Sequence, residues 1–360
     1  MKSIVKAEAF ASALAKAGAQ RRVSKRNGKH LRFDFMGNIC RVTGSDFSAW
    51  LTVELPADGD TFTFVLEEPR QVIRLCAFLR GPLTVELDGE EQNCKITLSS
   101  DGKTGTFPVS SPTAYPLPPH ERPIFRRTTD VRKLAGRIKS VSYAALELTY
   151  RPSYANVYFQ DQRLWCVDGY RLAVSQDDSF CAKQPFLVRA LDLEQLKLFD
   201  KGKVRIEVGK KFVTFLGNGI TLICRKAGDQ PCVDLDKVIP CGPMEQYAVD
   251  RKQYMDALKY LSECAHGINR PSVVFDHGVL ELTGKHGLYT AGLDVEGRCE
   301  LPYRFNLRYM LEALKQFDGM KSVTVSTFGA SNRPILLTSE KATAMVLPIR
   351  FSEAWAGRTA

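Results

Sequence analysis

Two short motifs in the sequence could carry nucleotide chemistry, and each is better explained as structure. Asp101-Gly-Lys-Thr104 resembles the end of a phosphate-binding loop, but Thr97 stands where the first glycine of that motif belongs. The stretch also lies between strand-like segments rather than before a helix, which predicts a hairpin turn. Gly217-Asn-Gly219 lacks the third glycine and the following helix of a dinucleotide site.

The other reactive side chains form no pattern typical of a metal site or a catalytic site. The five histidines and ten cysteines show no metal-binding spacing. Cys264 and His266 lie too close along the chain to indicate a thiol nucleophile and its base, and no pair of carboxylates stands out. The sequence therefore predicts a non-catalytic protein without cofactor or metal. Cys40, Cys166 and Cys224 lie in apolar strand-like runs, which predicts free buried thiols and a reducing cytoplasm.

Positive charge is the chemical property that recurs along the chain. The formal net charge is +10, and the pI is about 9.1. Several predicted helices carry basic residues outside their apolar stripe: Arg132, Lys133, Arg137 and Lys139; Arg70, Arg74 and Arg80; Arg189, Lys197 and Lys201; Arg251, Lys252 and Lys259; Arg308 and Lys315. Equivalent basic helices on one side of a molecule would bind a polyanion. Solvated helix faces are the alternative, and charge alone does not choose among DNA, RNA and an acidic protein.

The elements that position these residues repeat three times. Phe64, Phe186 and Phe305 each end a short strand and begin a helical pattern, at spacings of 122 and 119 residues. A β-rich strand follows each helix, at Leu83–Leu87, Val204–Val208 and Val323–Ser326. The repeat predicts an α+β fold of three domains, each with two helices packed on antiparallel sheets.

Two segments rich in proline and glycine separate the repeats. Residues 108–123 contain six prolines, and residues 226–243 contain three prolines and two glycines. Such segments make poor helices and poor central strands, so they predict linkers. The domains would then span residues 1–118, 124–240 and 245–360, the last ending in a tail. No apolar run reaches the roughly 18 residues that span a membrane.

The ordered motifs resemble the bacterial sliding clamp, the β subunit of DNA polymerase III. The segments that carry the resemblance are Thr43–Asp46, Arg151–Phe159, Val167–Ala173, Phe305–Gly319, Ser322–Val325, Pro334–Leu337 and Val346–Arg350. The resemblance implies that two copies close head to tail into a six-domain ring. The helices would line a hole for double-stranded DNA without reading its sequence. The ring would act as a processivity factor for a polymerase and would perform no chemistry.

The resemblance also implies which residues contact DNA and the second copy. The DNA-facing set would be Arg21, Arg22, Lys25, Arg26, Arg70, Arg74, Arg132, Lys133, Arg137, Lys197, Arg251 and Lys252. The dimer edge would include Phe107 and Val109, where Pro108 removes one backbone donor. The alternative is a clamp-fold regulator or decoy that binds DNA or a replication protein without closing a functional ring.

A hydrophobic pocket between the second and third domains is the last implication. It would bind Gln-Leu-x-Leu-Phe peptides of a DNA polymerase and a clamp loader. Carried over residue by residue, it would comprise Tyr154, Val167, Gly169, Tyr170, Arg171, Leu172, Val233, Lys237, Val238, Pro334, Met345 and Leu347. Val167 and Tyr170 replace the threonine and histidine usual in the family. The chain itself contains such a peptide at Gln195–Phe199, which we interpret as a helix that buries Leu196 and Phe199.

Overall fold

The structure is a computed structural model that describes residues 1–19, 30–89, 93–146, 151–228 and 233–350. The chain divides into two compact units. Unit 1 comprises Met1–Ala135 and Val188–Gly228, and unit 2 comprises Gly136–Leu187 and Asp229–Ala360. The three-domain boundaries at residues 118–124 and 240–245 stay a prediction.

The described residues contain the predicted helices and one short helix, Leu235–Val238, inside a segment predicted to be a linker. They are α1 (Ala7–Ala17), α2 (Pro69–Cys76), α3 (Val131–Ser142), α4 (Ala190–Leu193), α5 (Leu235–Val238), α6 (Arg251–Cys264) and α7 (Leu307–Lys315), with 3₁₀ helices at Pro112–Ala114, Pro152–Ala155 and Glu194–Phe199. Asp250 and Asn306 cap α6 and α7 by accepting backbone N–H bonds from Gln253 (2.8 Å) and Tyr309 (3.2 Å). A polar cap directly after a strand explains why strand and helix meet without a loop at these places.

Unit 1 contains one twelve-stranded antiparallel sheet. Nine strands run in the order β8-β7-β6-β1-β4-β16-β15-β14-β9, and β2, β3 and β5 pair beside them. Their bounds are β1 (Lys2–Lys6), β2 (Leu31–Met36), β3 (Ile39–Ser45), β4 (Ala49–Gly59), β5 (Thr61–Leu66), β6 (Pro82–Asp88), β7 (Lys95–Ser100), β8 (Lys103–Pro108), β9 (Phe125–Asp130), β14 (Lys203–Val208), β15 (Phe212–Gly217) and β16 (Ile220–Arg225). The long strand β4 joins the two halves, because it pairs with β16 at one end and with β1 at the other.

Unit 2 contains a nine-stranded and a four-stranded antiparallel sheet. Their orders are β13-β10-β11-β12-β25-β24-β23-β17-β21 and β20-β19-β18-β22. The bounds are β10 (Asn156–Asp161), β11 (Arg163–Val167), β12 (Arg171–Gln176), β13 (Ala182–Arg189), β17 (Glu245–Asp250), β18 (Ser272–Asp276), β19 (Val279–Thr283), β20 (Leu288–Gly292), β21 (Val295–Gly297), β22 (Tyr303–Asn306), β23 (Ser322–Thr327), β24 (Ile335–Thr338) and β25 (Ala342–Val346). One apolar core packs α6 and α7 on strands of both sheets.

Both motifs that resembled nucleotide sites are hairpin turns, as predicted for Asp101–Thr104. Asp101 and Gly102 connect β7 to β8 with positive φ values of 50° and 69°. Asn218 and Gly219 connect β15 to β16 with 53° and 68°. Paired positive φ values match the right-handed twist of the flanking strands. These residues are therefore explained by turn geometry alone.

The internal Gln-Leu-Lys-Leu-Phe sequence lies in the 3₁₀ helix Glu194–Phe199. Leu196 and Phe199 are each 1% exposed, so the prediction that they pack into the core is confirmed. Cys40, Cys166 and Cys224 are buried free thiols, which also confirms the prediction for them. Within the described residues, no helix is both long and apolar enough to cross a membrane.

Candidate peptide-binding, DNA-binding and junction surfaces

A tight hairpin in unit 2 brings most of the predicted pocket residues together. Strands β11 and β12 pair with Val167 opposite Leu172, and Gly169 and Tyr170 form the loop between them. The φ of Gly169 is +87°, and a Cβ there would lie 3.3 Å from the ring of Tyr154. The glycine therefore permits both the turn and the close approach of Tyr154.

Strand β25 adds two further pocket residues to this hairpin. It pairs with β12 so that Met345 lies opposite Leu172. The N–H of Leu347 donates to the carbonyl of Tyr170 at 2.9 Å. Pro334 immediately precedes Ile335, which pairs with Val346. Here Tyr170 is 59% exposed, whereas Leu172 and Met345 are buried, so Tyr170 is exposed while these two apolar residues pack beneath the surface.

Val233, Lys237 and Val238 flank or belong to the short helix α5. Asp234 caps this helix by accepting the N–H of Asp236 (3.2 Å). A 2.8 Å ion pair between Asp236 and Arg163 connects α5 to β11. Lys237 is exposed and pairs with Asp234. Whether these three residues bind the same peptide as Tyr170 stays a prediction.

Arg171 lies beneath the exposed loop rather than on its surface. Its side chain is 8% exposed and donates two bonds to Asp168 Oδ2, at 2.8 Å from Nε and 2.6 Å from Nη2. It also donates to Glu312 on α7, and its guanidinium lies 4.3 Å from the ring centroid of Tyr309. Asp168 in turn accepts the backbone N–H groups of Tyr170 and Arg171. Arg171 thus positions the loop and has few donors left for a peptide.

A comparable junction in unit 1 links the β3–β4 hairpin to the start of α4. Arg189 donates to Asp46 Oδ2 at 2.6 Å, to Ser48 Oγ at 2.8 Å and to Asp192. The side chains of Asp46 and Asp192 are each 1% exposed, and that of Arg189 is 33% exposed. Burial acts to raise the pKa of Asp46, but the bonds from Arg189, Ala49 and Ser48 hold that pKa below its ordinary value.

The basic residues of the helices differ in their exposure to solvent. Arg70, Arg74, Lys133, Lys197 and Lys252 are exposed. Exposed Arg132 also donates to the carbonyl of Asp200 at 3.3 Å. Those positions are compatible with phosphate contact. Arg21, Arg22, Lys25 and Arg26 lie outside the described residues.

Arg137 corrects one prediction. It is 8% exposed, and its guanidinium donates to Ser175, Ser179 and the carbonyls of Gln162, Ser175 and Asp177. It ties α3 to the sheet and does not face outward, because its helical position falls beside the apolar stripe. Arg251 is also partly occupied, since it binds Asp318 and the carbonyl of Leu314.

The end strand β8 carries the predicted dimer residues. It lies at one end of the unit 1 sheet and pairs with β7. Phe107 and Val109 are half-buried, and the N–H of Val109 donates to Cys94 O at 3.0 Å. Bonded positions alternate along an antiparallel pair, so the backbone groups of Thr104 and Thr106 point to the open side of β8, as does Pro108.

The whole architecture matches known structures. A sliding clamp from Bacillus subtilis superposes with a TM-score of 0.88 at 19% identity, covering 98% of this chain and 100% of that one. A putative DNA polymerase III beta subunit from Eubacterium rectale gives 0.88 at 14% identity, with 98% and 99% covered. The DNA polymerase III subunit beta from Pseudomonas aeruginosa gives 0.86 at 18% identity, with 97% and 100% covered. This chain has the sliding-clamp fold. No protein-family model and no curated protein sequence matches it.

Within the clamp fold, sequence reasoning missed the residues that hold the junctions. Asp168 was visible only as a turn residue, and Glu312 and Asp192 were not singled out. A buried carboxylate has no signature in one sequence, because its partner lies 141 residues away in the case of Glu312 and Arg171. The usable signal was the recurrence of an aspartate in two equivalent hairpins, Asp46 and Asp168.

Proposed function

We propose that this protein is a DNA sliding clamp, a non-catalytic processivity factor of the cytoplasm. Two copies would close into a ring around double-stranded DNA and hold a polymerase to its template. The observation that carries the proposal is a set of three contacts that occurs in both units. Each unit joins two sequence repeats by the same kind of strand pair, helix-end contact and loop-to-helix contact.

Strand pairing is the first of these contacts. In unit 1, β4 follows the β3–β4 hairpin and pairs with β16, which places Trp50 opposite Ile223. In unit 2, β12 follows the β11–β12 hairpin and pairs with β25, which places Leu172 opposite Met345. In each case the second strand of a hairpin pairs with the last strand of the next repeat.

Helix ends and hairpin loops supply the other two contacts. Near the end of α1, Lys16 binds Asp200 at 3.0 Å, and next to the end of α3, Tyr143 donates to Gln316 at 3.1 Å. The loop contacts are those of Asp46 with Arg189 and of Arg171 with Glu312. One repeat therefore meets the next in the same way twice, which is the arrangement a ring of equivalent domains requires.

The two halves of a third such contact lie in different units. Strand β20, which follows the β19–β20 hairpin, is an end strand of its sheet, and Leu288 on it is 58% exposed. Strand β8 is the last strand of the first repeat and is also an end strand. Gly284 N–H donates to Gly287 O, so Gly287 is bonded to β19. Bonded positions alternate along an antiparallel pair, so the backbone N–H and C=O groups of Leu288 and Thr290 point to the open side of β20.

A second copy would satisfy both open edges. An antiparallel ladder with Leu288 opposite Thr106 and Thr290 opposite Thr104 uses residues that have a free backbone N–H. It ends before Pro108, so the proline would not interrupt closure. Unpaired sheet edges otherwise favour uncontrolled association. This register supports a closed head-to-tail dimer.

The exposed basic residues Arg70, Arg74, Arg132, Lys133, Lys197 and Lys252 would contact phosphates. Contacts of this kind are independent of sequence and screened by salt, which suits a ring that slides. The exposed loop of Tyr170 would receive Gln-Leu-x-Leu-Phe peptides of a polymerase and a clamp loader. Arg137 would instead stabilise α3.

The test is solution mass by light scattering, followed by retention on circular DNA. We expect a mass near twice 40.2 kDa that persists on dilution, and retention on closed circles that is lost on linearisation. Arg132→Glu/Lys133→Glu should weaken salt-sensitive DNA association. Lys183→Glu/Lys203→Glu is the matched control, because both lysines are exposed and lie on strands. A monomer at every concentration would favour the regulator or decoy instead.

A further inference from the structure

The third hairpin differs in charge from the two hairpins that form internal junctions. Asp46 and Asp168 occupy the first two loops. The third hairpin pairs Thr283 with Leu288, and its loop carries Lys285 and His286, both exposed. A cationic loop thus stands where the other repeats have a carboxylate.

The two residues before the helix that would receive this loop carry the opposite charge. Three residues after the repeat landmarks Phe64 and Phe186 stand Glu67 and Arg189, respectively. Arg189 binds the aspartate of the first hairpin. Glu67 is followed by Glu68 directly before α2, and both are exposed. Glu68 occupies the N-cap position of α2 without making a side-chain cap bond.

Exposed apolar side chains lie on or next to the elements that carry these four residues. Leu75 and Phe78, on α2 and just after it, are 41% and 69% exposed. Tyr260 on α6 and Leu288 on β20 are 51% and 58% exposed. An apolar centre with charges at its rim is the usual anatomy of a protein interface. In the part of the chain that the structure describes, no ion pair includes Glu67, Glu68, Lys285 or His286.

We propose that Glu67 and Glu68 of one copy bind the Lys285–His286 loop of a second copy of this chain, and that this inverted pair selects the chain's own copy as its ring partner. The inference rests on the proposed clamp function and adds the specificity of closure. A clamp that carried an aspartate in its third loop, as the first two hairpins do here, would meet Glu67 and Glu68 with like charge. Like-charge contact at an interface is unfavourable and therefore rejects the wrong partner.

The test uses two charge-reversed variants and their mixture. Glu67→Lys/Glu68→Lys places lysines opposite the cationic loop, and Lys285→Glu/His286→Glu places glutamates opposite the acidic helix start. Each variant alone would have two repulsive junctions in a ring. A mixed ring would have one wild-type and one reversed junction, both attractive. Sedimentation at low ionic strength, where charges are least screened, should show each dimer dissociation constant raised about tenfold or more and the mixture restored toward wild type.

The matched control is Asp178→Lys/Glu340→Lys, which makes the same charge change as Glu67→Lys/Glu68→Lys at two exposed residues outside the proposed contact. It should dimerise like wild type, and circular dichroism should show all variants folded. Wild-type affinity in both single variants, or no recovery in the mixture, would overturn the charge-pair proposal while leaving the clamp intact. A wild-type chain that never dimerises would instead overturn the proposed function.

Discussion

The two internal junctions have the same topology but distribute their charges differently. In unit 1, the hairpin supplies Asp46 and the helix start supplies Arg189. In unit 2, the hairpin supplies both Asp168 and Arg171, and α7 supplies Glu312. Conserved backbone pairing therefore does not require a conserved ion pair. The strand ladder fixes where two repeats meet. The side chains at the loop determine how stable the contact is and which repeat supplies the positive and the negative group.

Burial is the second difference between the junctions. The side chain of Arg171 is 8% exposed and that of Arg189 is 33% exposed. Arg171 also lies over the ring of Tyr309 and supports the loop that presents Tyr170. The junction of unit 2 therefore connects stability to the candidate peptide surface. We expect the junction of unit 1 to affect stability alone.

The largest effect should follow from Arg171→Met. The change leaves Asp168 buried without its guanidinium partner, which costs about 3–5 kcal/mol in the free energy of unfolding. Affinity for a Gln-Leu-x-Leu-Phe peptide should fall as well, because the Tyr170 loop loses its support. Urea unfolding and fluorescence anisotropy measure the two quantities. Arg163→Met, which removes a more exposed ion pair of the same sheet, is the control, and equal losses in both variants would contradict the assigned role.

A smaller effect should follow from Arg189→Met. Asp46 keeps bonds from Ser48 and Ala49, so part of its desolvation remains offset, and we expect a loss of about 2 kcal/mol in unfolding free energy. Arg189→Lys should recover part of it, since lysine keeps the charge but not the planar fork. Peptide affinity should stay at the wild-type value. A peptide defect as large as that of Arg171→Met would remove the distinction between the junctions.

The sequence was sufficient to predict the repeated architecture, but it predicted few of the side-chain contacts at the junctions. Periodicity located most of the helices, and Asp101-Gly102 marked a real hairpin. These signals are local, because each depends on neighbours within a few residues. The resemblance to sliding clamps extended them to the whole chain, and the structural similarity agrees with it.

The sequence did not predict how side chains beside the apolar stripe of a helix are oriented. Arg137 has the spacing of an outward basic residue, yet strand β12 and two neighbouring loops offer it three carbonyls and two hydroxyls. Arginine can be buried where its donors are satisfied. Arg132 and Lys133, the second and third residues of the same helix, are exposed. A helical pattern predicts the stripe but not which boundary residue finds partners.

The smallest effect should be the pH dependence of the stability that Arg189 gives to the junction of unit 1. Burial raises the pKa of Asp46, and the bonds from Arg189 outweigh it, so the folded-state pKa lies below the ordinary aspartate value of 3.8. A depressed carboxylate pKa contributes stability above the unfolded-state pKa, and that contribution is lost as pH falls through the folded-state pKa. The difference in unfolding free energy between wild type and Arg189→Met should thus be largest near neutral pH and shrink below about pH 4. Urea unfolding at several pH values measures it. A difference that stays constant into acid would mean that Arg189 stabilises the junction through packing of its stem and not through the charge of Asp46.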